Sequence, residues 1–147
     1  MKNTPNIDPA QSIIKSLSRL DRKQKHFANQ ALMDTPLKGA MYKYILTLGR
    51  HPGVSQEFLA EFHAVDKSRV ARVARELEFL GYISRLPDEN DRRHFRLSLT
   101  ESGTELYYKI QSILAGWGNL ISAGIPDDAM TLTVDTLSKM IDNIDKM

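Results

Sequence analysis

The chain has 147 residues, of which 41% are hydrophobic and 26% charged, and these proportions are ordinary for a globular protein. It contains no cysteine, which excludes disulfides, thiolate metal sites and thiol-based redox sensing. No apolar run approaches the ~18 residues that span a bilayer, and the start of the chain lacks the apolar core of a secretory signal. We therefore expect a cytoplasmic protein without membrane association.

The formal net charge of +2 is small, but its distribution along the chain is uneven. Residues 1–37 carry six Lys/Arg and three Asp/Glu, and residues 38–100 carry eleven and eight. Residues 101–147 carry only three Lys/Arg against seven Asp/Glu. Because an acidic segment is repelled by phosphate, we expect the last third to have another task than binding a polyanion.

The first half of the chain is predicted to be helical. Residues 1–6 are expected to be frayed, and Ile13, Leu17 and Leu20 at helical spacing predict a long helix over about residues 7–32. Pro36 is predicted to stand in the first turn of a second helix that ends near Gly49.

Two further helices form a predicted helix-turn-helix. Ser55 is a suitable N-cap for a short helix over residues 56–62, in which we expect Phe58, Leu59 and Phe62 to be buried. After a three-residue turn, Asp66 can cap a helix that runs to about residue 80. Two helices joined by so short a turn form the helix-turn-helix arrangement.

The second of these helices is amphipathic, with a basic outer side. An apolar stripe consists of Val70, Val73, Ala74, Leu77 and Leu80, and the other side presents Lys67, Ser68, Arg69, Arg72 and Arg75. Residues near the N-terminus of such a helix reach base edges in the major groove, and arginine matches guanine. We therefore predict that the first four residues of the basic side lie at or near bases and that Arg75 contacts phosphate or pairs within the helix. A solvated charged face is the alternative.

A β-hairpin is predicted after Gly81, which is placed to end the helix in the left-handed conformation. The predicted strands cover residues 82–86 and 95–99, and the tip between them contains Asp91, Arg92 and Arg93. A narrow minor groove attracts arginine. Asp91, two residues before Arg93, is placed to orient its guanidinium group.

The last third is predicted to form two helices, one capped by Thr100 and one beginning at Pro126. Together with the first helix they offer more apolar surface than a small winged helix can bury. A two-fold dimer is the commonest use of such surface, and folding back on the same subunit is the alternative. We expect residues 1–36 and 101–147 to supply dimerisation helices and residues 37–100 to form the DNA-binding domain.

The hairpin resembles the wing of the MarR family of winged helix-turn-helix regulators. The resemblance rests on Asp91 and Arg93, followed after five residues by Leu99-Thr100, and on the preceding Leu77, Gly81, Ile83 and Arg85. It implies a mainly α protein with a small β-hairpin wing, whose terminal helices interlock two subunits.

The resemblance also implies a function. Two recognition helices would enter successive major grooves of a pseudo-palindromic operator, Arg93 would lie in the minor groove with Asp91 orienting it, and Arg92 would be a second wing contact. Such proteins usually repress transcription and are often released by a small aromatic or anionic ligand. The segment 35–39 departs from the family pattern, so no ligand-binding residues are assigned.

Other functions find less support in the sequence. No Gly-rich phosphate loop, nucleophile elbow or His-Glu metal helix is present, so we expect neither an enzyme nor a bound cofactor. The four histidines, His26, His51, His63 and His94, show no short ligand spacing, and no metal site is predicted. A metal-responsive regulator and a winged helix that contacts only proteins remain as alternatives.

Overall fold

The computed structural model describes residues 8–147. Six helices and three strands follow one another along these residues: α1 (Pro9–Ala31), α2 (Met41–Arg50), β1 (Val54–Ser55), α3 (Gln56–His63), α4 (Lys67–Phe79), β2 (Ile83–Pro87), β3 (Phe95–Leu99), α5 (Glu101–Ser122) and α6 (Asp127–Asp145). The predicted mainly helical class with a small β wing is confirmed. The predicted frayed end, residues 1–6, lies outside the described residues.

Three helices begin at the side-chain caps that the sequence predicts. Ser55 Oγ accepts a hydrogen bond from the Phe58 backbone N–H (3.0 Å), and Asp66 Oδ1 accepts one from that of Arg69 (2.9 Å). Thr100 Oγ1 accepts a hydrogen bond from the Gly103 backbone N–H (3.1 Å) and donates one to the carbonyl of Gly81 (2.6 Å). These caps satisfy backbone donors that a helix leaves unpaired in its first turn.

The predicted start of α2 is wrong. Pro36 lies in a loop, and the helix begins five residues later at Met41. The loop is held by its own hydrogen bonds: Thr35 Oγ1 donates to the Leu32 carbonyl (2.7 Å), and Asn29 Nδ2 donates to the carbonyl of Gly39 (2.8 Å). Gly39 has a φ of +57°, which interrupts a right-handed helix.

The sheet has three antiparallel strands in the order β1-β3-β2, one more than the sequence predicts. In the hairpin, Ile83 pairs with Leu99 and Pro87 pairs with Phe95. The additional strand β1 pairs Val54 with Leu97. It therefore attaches the base of the wing to the segment that enters the helix-turn-helix.

The core of the unit Met1–Leu114 is built by α2, on which α1, α3, α4, the sheet and the first half of α5 converge. Its largest fully buried side chains are Tyr42, Leu32, Ile45, Leu48, Leu59, Leu77, Leu97, Ile110 and Val70. The predicted burial of Phe62 is wrong, because this side chain is 56% exposed, and Phe58 is only partly buried. The short helix α3 instead buries Leu59 and Ala60.

The unit Ala115–Met147 contains the end of α5 and the whole of α6. None of the α6 residues is buried. Several of its large apolar side chains, Leu132, Val134, Ile141 and Ile144, are more than half exposed. Among the described residues, no helix combines the length and the apolar character needed to cross a membrane.

Candidate nucleic-acid interface

The exposed side of α4 is defined by the helical repeat of 3.6 residues. Val70, Ala74 and Leu77 face the core, as predicted. On the opposite side, Ser68, Arg72 and Arg75 follow one another at spacings of four and three residues. Because such spacings place side chains on one face of a helix, these residues form a single outward stripe.

The two other predicted residues of this helix flank the stripe. Lys67 lies on the flank of α4 that faces α3, and its Nζ donates a hydrogen bond to Glu57 Oε1 (2.9 Å). Arg69 lies on the opposite flank and lines a cleft between α1, α2 and α4. The five predicted residues are thus all exposed, but only three of them share the outermost face.

The N-terminus of α4 is ordered by Asp66. Its Oδ1 accepts the backbone N–H of Arg69 and also the hydroxyl of Ser68 (3.2 Å). These two hydrogen bonds hold the pKa of the Asp66 carboxyl below its ordinary value. The carboxylate therefore stays charged and fixes the rotamer of Ser68 at the start of the outward stripe.

The wing tip contains the predicted pair of Asp91 and Arg93. The guanidinium of Arg93 donates from Nε to Asp91 Oδ1 (3.2 Å) and from an Nη to Asp91 Oδ2 (3.3 Å), and the Arg93 backbone N–H also donates to Oδ1 (3.1 Å). These hydrogen bonds lower the pKa of the Asp91 carboxyl. Arg93 is thus held in one orientation while its side chain stays 87% exposed, and Arg92 beside it is also exposed.

Two other arginines make contacts in the strands below the tip. Arg85 on β2 places its guanidinium 4.7 Å from the ring centre of Phe95, and its Nε lies 3.3 Å from Glu78 Oε2 on α4. The Nε–H group does not point at that carboxylate, so this is an ion pair without a hydrogen bond. Arg96 on β3 pairs with Asp88 (3.4 Å). The pair of Arg85 and Glu78 connects α4 to the wing, whereas the contacts of Arg85 with Phe95 and of Arg96 with Asp88 lie within the hairpin.

A cleft of about 550 Å³ opens beside α4. Its charged lining residues are five cationic and two anionic: Lys25, Lys38, Lys43, Arg69 and Arg72, against Asp21 and Glu76. Two lysines are already paired, Lys43 with Asp21 (2.5 Å) and Lys38 with Glu76 (3.6 Å). Tyr44 and His63 add aromatic surface, and their rings stack at 4.5 Å. The cleft thus offers net positive charge and aromatic rings.

The histidines are distributed over different elements. His63 packs on Tyr44 and lies 3.0 Å from Thr47 Oγ1, and burial lowers its pKa. The ring of His51 lies 5.3 Å from that of Phe58 in a tilted arrangement, and His94 lies 3.5 Å from Asp91. Across residues 8–147, no group of three or more histidine, aspartate or glutamate side chains is arranged to hold a metal ion.

Comparison with known proteins points to one family. The model of the MarR family matches residues 40–95, which extend from the start of α2 to the beginning of β3. A regulator from Methanosarcina mazei Go1, described as a MarR transcriptional regulator, has the same fold with a TM-score of 0.86 and 28% identity, covering 92% of this chain and 98% of that one. The segment from α2 to β3 is thus similar in sequence to the MarR family, and the chain shares the fold of MarR regulators.

Relatives similar to this chain in sequence are described as HTH-type transcriptional regulators. The chain is 33% identical over 95 residues to the uncharacterized HTH-type transcriptional regulator YybA of Bacillus subtilis (strain 168), a match that covers 65% of this chain and 63% of that protein. It is 27% identical to the HTH-type transcriptional regulator BilQ of Clostridioides difficile (strain CD3), covering 76% and 75%.

A MarR-family protein of Listeria monocytogenes, with a TM-score of 0.84 and 21% identity over 89% of this chain and 87% of that one, was crystallised with a 26mer DNA. At that identity the comparison supports the fold of this chain.

Sequence reasoning missed two residues of this surface. Phe79 continues the outward stripe four residues after Arg75 and is 89% exposed. The spacing of Phe79 from Arg75 is visible in the sequence, but the sequence analysis selected this face by its charged side chains and phenylalanine has no charge. Glu57, the partner of Lys67, lies ten residues away on another helix. Nothing in the sequence predicts that contact, because it depends on the angle between α3 and α4.

Proposed function

We propose that this chain is a cytoplasmic, sequence-specific regulator of transcription that binds double-stranded DNA, and that it is not an enzyme. The observation that carries the proposal is the outward stripe of Ser68, Arg72 and Arg75 on the second helix of a helix-turn-helix, opposite a buried apolar face. The folded wing adds an arginine that a carboxylate already holds in place. A domain that contacted only proteins would need neither feature.

The proposed contacts divide by groove. Lys67, Ser68, Arg69 and Arg72 lie at or near base edges in the major groove, where bidentate arginine contacts discriminate guanine by about 1–3 kcal/mol each. Arg75, one turn further along, contacts phosphate. Arg93 enters the minor groove, with Asp91 orienting it and Arg92 as a second wing contact. In this proposal residues 37–100 form the DNA-binding domain.

We propose that the functional unit is a homodimer. On α1, Ile14, Leu17 and Leu20 are exposed, and α6 buries none of its residues. Residues 1–36 and 101–147 would supply the interface. Two recognition helices related by a two-fold axis would then read half-sites about one helical turn, ~10 bp, apart.

Selection of bound sequences from random duplex DNA tests the proposal. We expect enrichment of a site with two-fold symmetry and half-sites about one turn apart. Arg72→Ala should weaken binding by about 1–3 kcal/mol and relax the preference at one position of each half-site. Enrichment of no sequence, or equal binding of all duplexes, would contradict a sequence-specific regulator.

We further propose that the regulator is a repressor released by a small anionic ligand, of which aromatic acids are the first class to test. The 550 Å³ cleft supports this, because Arg69 and Arg72 line it while also belonging to the recognition helix. A ligand that engages these guanidinium groups competes with their use on DNA.

A panel of aromatic carboxylates should therefore dissociate the operator complex. Lys25→Ala should reduce the response to the ligand without changing operator affinity in its absence, since Lys25 lies on α1. Lys23→Ala removes the same charge from α1 outside the cleft and serves as the matched control. Equal responses of both variants would place the ligand elsewhere.

A further inference from the structure

An ion pair joins the two helices of the helix-turn-helix at the edge of the recognition face. Lys67, the first residue of α4, donates from Nζ to Oε1 of Glu57, in the first turn of α3, at 2.9 Å. Both side chains are more than half exposed. The hydrogen bond lowers the pKa of Glu57 and raises that of Lys67, so both groups are charged at neutral pH. The Glu57 carboxylate thus neutralises the charge of the Lys67 ammonium group.

Glu57 also faces the wing. Together with Ser55 and Gln56 it lines a cleft of about 100 Å³, whose other wall is formed by Arg93, His94 and Phe95. His94, on that wall, also contributes electrostatically to lowering the pKa of Glu57. One carboxylate therefore lies between the recognition helix and the wing, which are the two elements that carry the proposed DNA contacts.

A carboxylate in this position changes what Lys67 can contribute. Sequence-independent binding to DNA comes from cations that neutralise phosphates and release counterions. An ammonium group already neutralised by Glu57 releases few counterions, but it retains two further N–H donors for acceptors on base edges.

We propose that Glu57 is a specificity-determining residue. It holds Lys67 so that the lysine contributes to reading the operator but little to the general attraction of phosphate. This inference rests on the proposed function as a DNA-binding regulator.

Glu57→Gln tests the inference directly. Its binding is measured by fluorescence anisotropy on the selected operator and on a scrambled duplex of equal length and composition, over a range of salt concentrations. Freeing Lys67 to neutralise one phosphate should steepen the slope of log K against log salt by about 0.9, which is about an eightfold gain at ~0.1 M salt. We expect that gain on the scrambled duplex and a smaller change on the operator, so that the ratio of the two affinities falls.

Glu61→Gln is the matched control. Glu61 is an exposed residue of the same helix whose charge also acts on Lys67, but it makes no hydrogen bond to the lysine. It should leave the affinity ratio near that of the wild type. Since Glu57 and Glu61 are both exposed, neither change removes core packing, and circular dichroism checks the fold of each variant.

The double variant Glu57→Gln/Lys67→Met separates two explanations. If Glu57 acts by holding Lys67, removing both should return binding of the scrambled duplex to the wild-type value. A double variant that keeps the raised affinity would overturn the inference, because the carboxylate would then act only by repelling phosphate. Equal effects of Glu57→Gln and Glu61→Gln would also overturn it. A wild-type protein that binds no duplex would refute the proposed function itself, which is a different and recognisable result.

Discussion

At the tip of the wing, a carboxylate adjoins the arginine that we expect to enter the minor groove. Removing a negative charge near DNA normally increases affinity, because repulsion of phosphate is lost. The three hydrogen bonds from Arg93 to Asp91 predict the opposite for this residue. Asp91→Asn should weaken operator binding by about 0.5–1.5 kcal/mol, the cost of ordering one long side chain on binding.

Titration of labelled operator measures this effect, and the neighbouring Glu89→Gln is its control, since it removes the same charge from the exposed tip. Arg93→Ala should weaken binding further, because the minor-groove contact itself is lost. Tighter binding by Asp91→Asn would show that Asp91 acts through its charge alone.

A second residue-level prediction concerns His63, the last residue of α3, whose ring packs on that of Tyr44 in α2. Burial, aided by the charge of Lys43, lowers its pKa from the ordinary value of 6.5. As the pH falls below that value, the unfolded chain takes up a proton before the folded one does, so the folded state loses stability.

The melting temperature should therefore fall more between about pH 7.5 and pH 5.5 in the wild type than in His63→Gln. Equal falls in the two proteins would show that protonation of His63 is not coupled to folding.

At the level of elements, the approach of α5 to the start of the hairpin requires a glycine. A Cβ added at Gly103 would lie 2.0 Å from the carbonyl oxygen of Tyr82, which is itself the acceptor for the Thr100 backbone N–H (3.0 Å). Backbone cannot move aside as a flexible side chain can. Gly103→Ala should therefore destabilise the fold by about 1–3 kcal/mol, the usual range for overpacking.

Thermal or denaturant unfolding measures the difference. Gly116→Ala in the same helix has no atom within 4 Å of the added Cβ. It should be neutral or stabilising, by up to about 1 kcal/mol, because alanine is the better helix former. If Gly103→Ala and Gly116→Ala lost similar amounts of stability, the need for glycine at position 103 would come from helix geometry and not from the contact with Tyr82.

The elements that the sequence predicts are those whose signals are local. The caps Ser55, Asp66 and Thr100 act within three residues, and the apolar stripe of α4 repeats within one helix. Strand β1 is not predicted because two residues are too few to show the alternation of apolar and polar side chains that marks a strand. Its partner Leu97, which pairs with Val54, is also far away in the sequence. The start of α2 is mispredicted because Pro36 would suit a first helical turn. In the structure, hydrogen bonds from Asn29 and Thr35 instead hold this segment as a loop.

At the scale of the candidate site, the sequence indicates which residues are exposed but not how they are grouped. It predicts the basic side of α4 and the pairing of Asp91 with Arg93, since both lie within one element. It does not predict that Lys67 meets Glu57 or that Arg69 lines the cleft, because both contacts depend on how separate helices pack. Only the folded structure shows which charged residues from different elements lie next to one another in a site.

At the scale of the whole molecule, the unburied apolar stripe of α6 leads to a prediction about assembly. Val134, Leu137, Ile141 and Ile144 recur at helical spacing, and none of them is buried. Changing Val134 and Ile141 together to aspartate should yield a monomer, because each carboxylate would need to be desolvated in an apolar interface.

Light scattering at micromolar concentration measures the assembly state, and a titration compares the full operator with a single half-site. The monomer should lose about 10²–10⁴-fold in affinity for the full operator, since binding to the second half-site is no longer intramolecular. Its affinity for one half-site should change little, because α4 and the wing are untouched. Thr136→Asp places an acid on the same helix away from the stripe and should remain dimeric. A wild-type monomer, or a double variant that still dimerises, would mean that α6 does not form the interface.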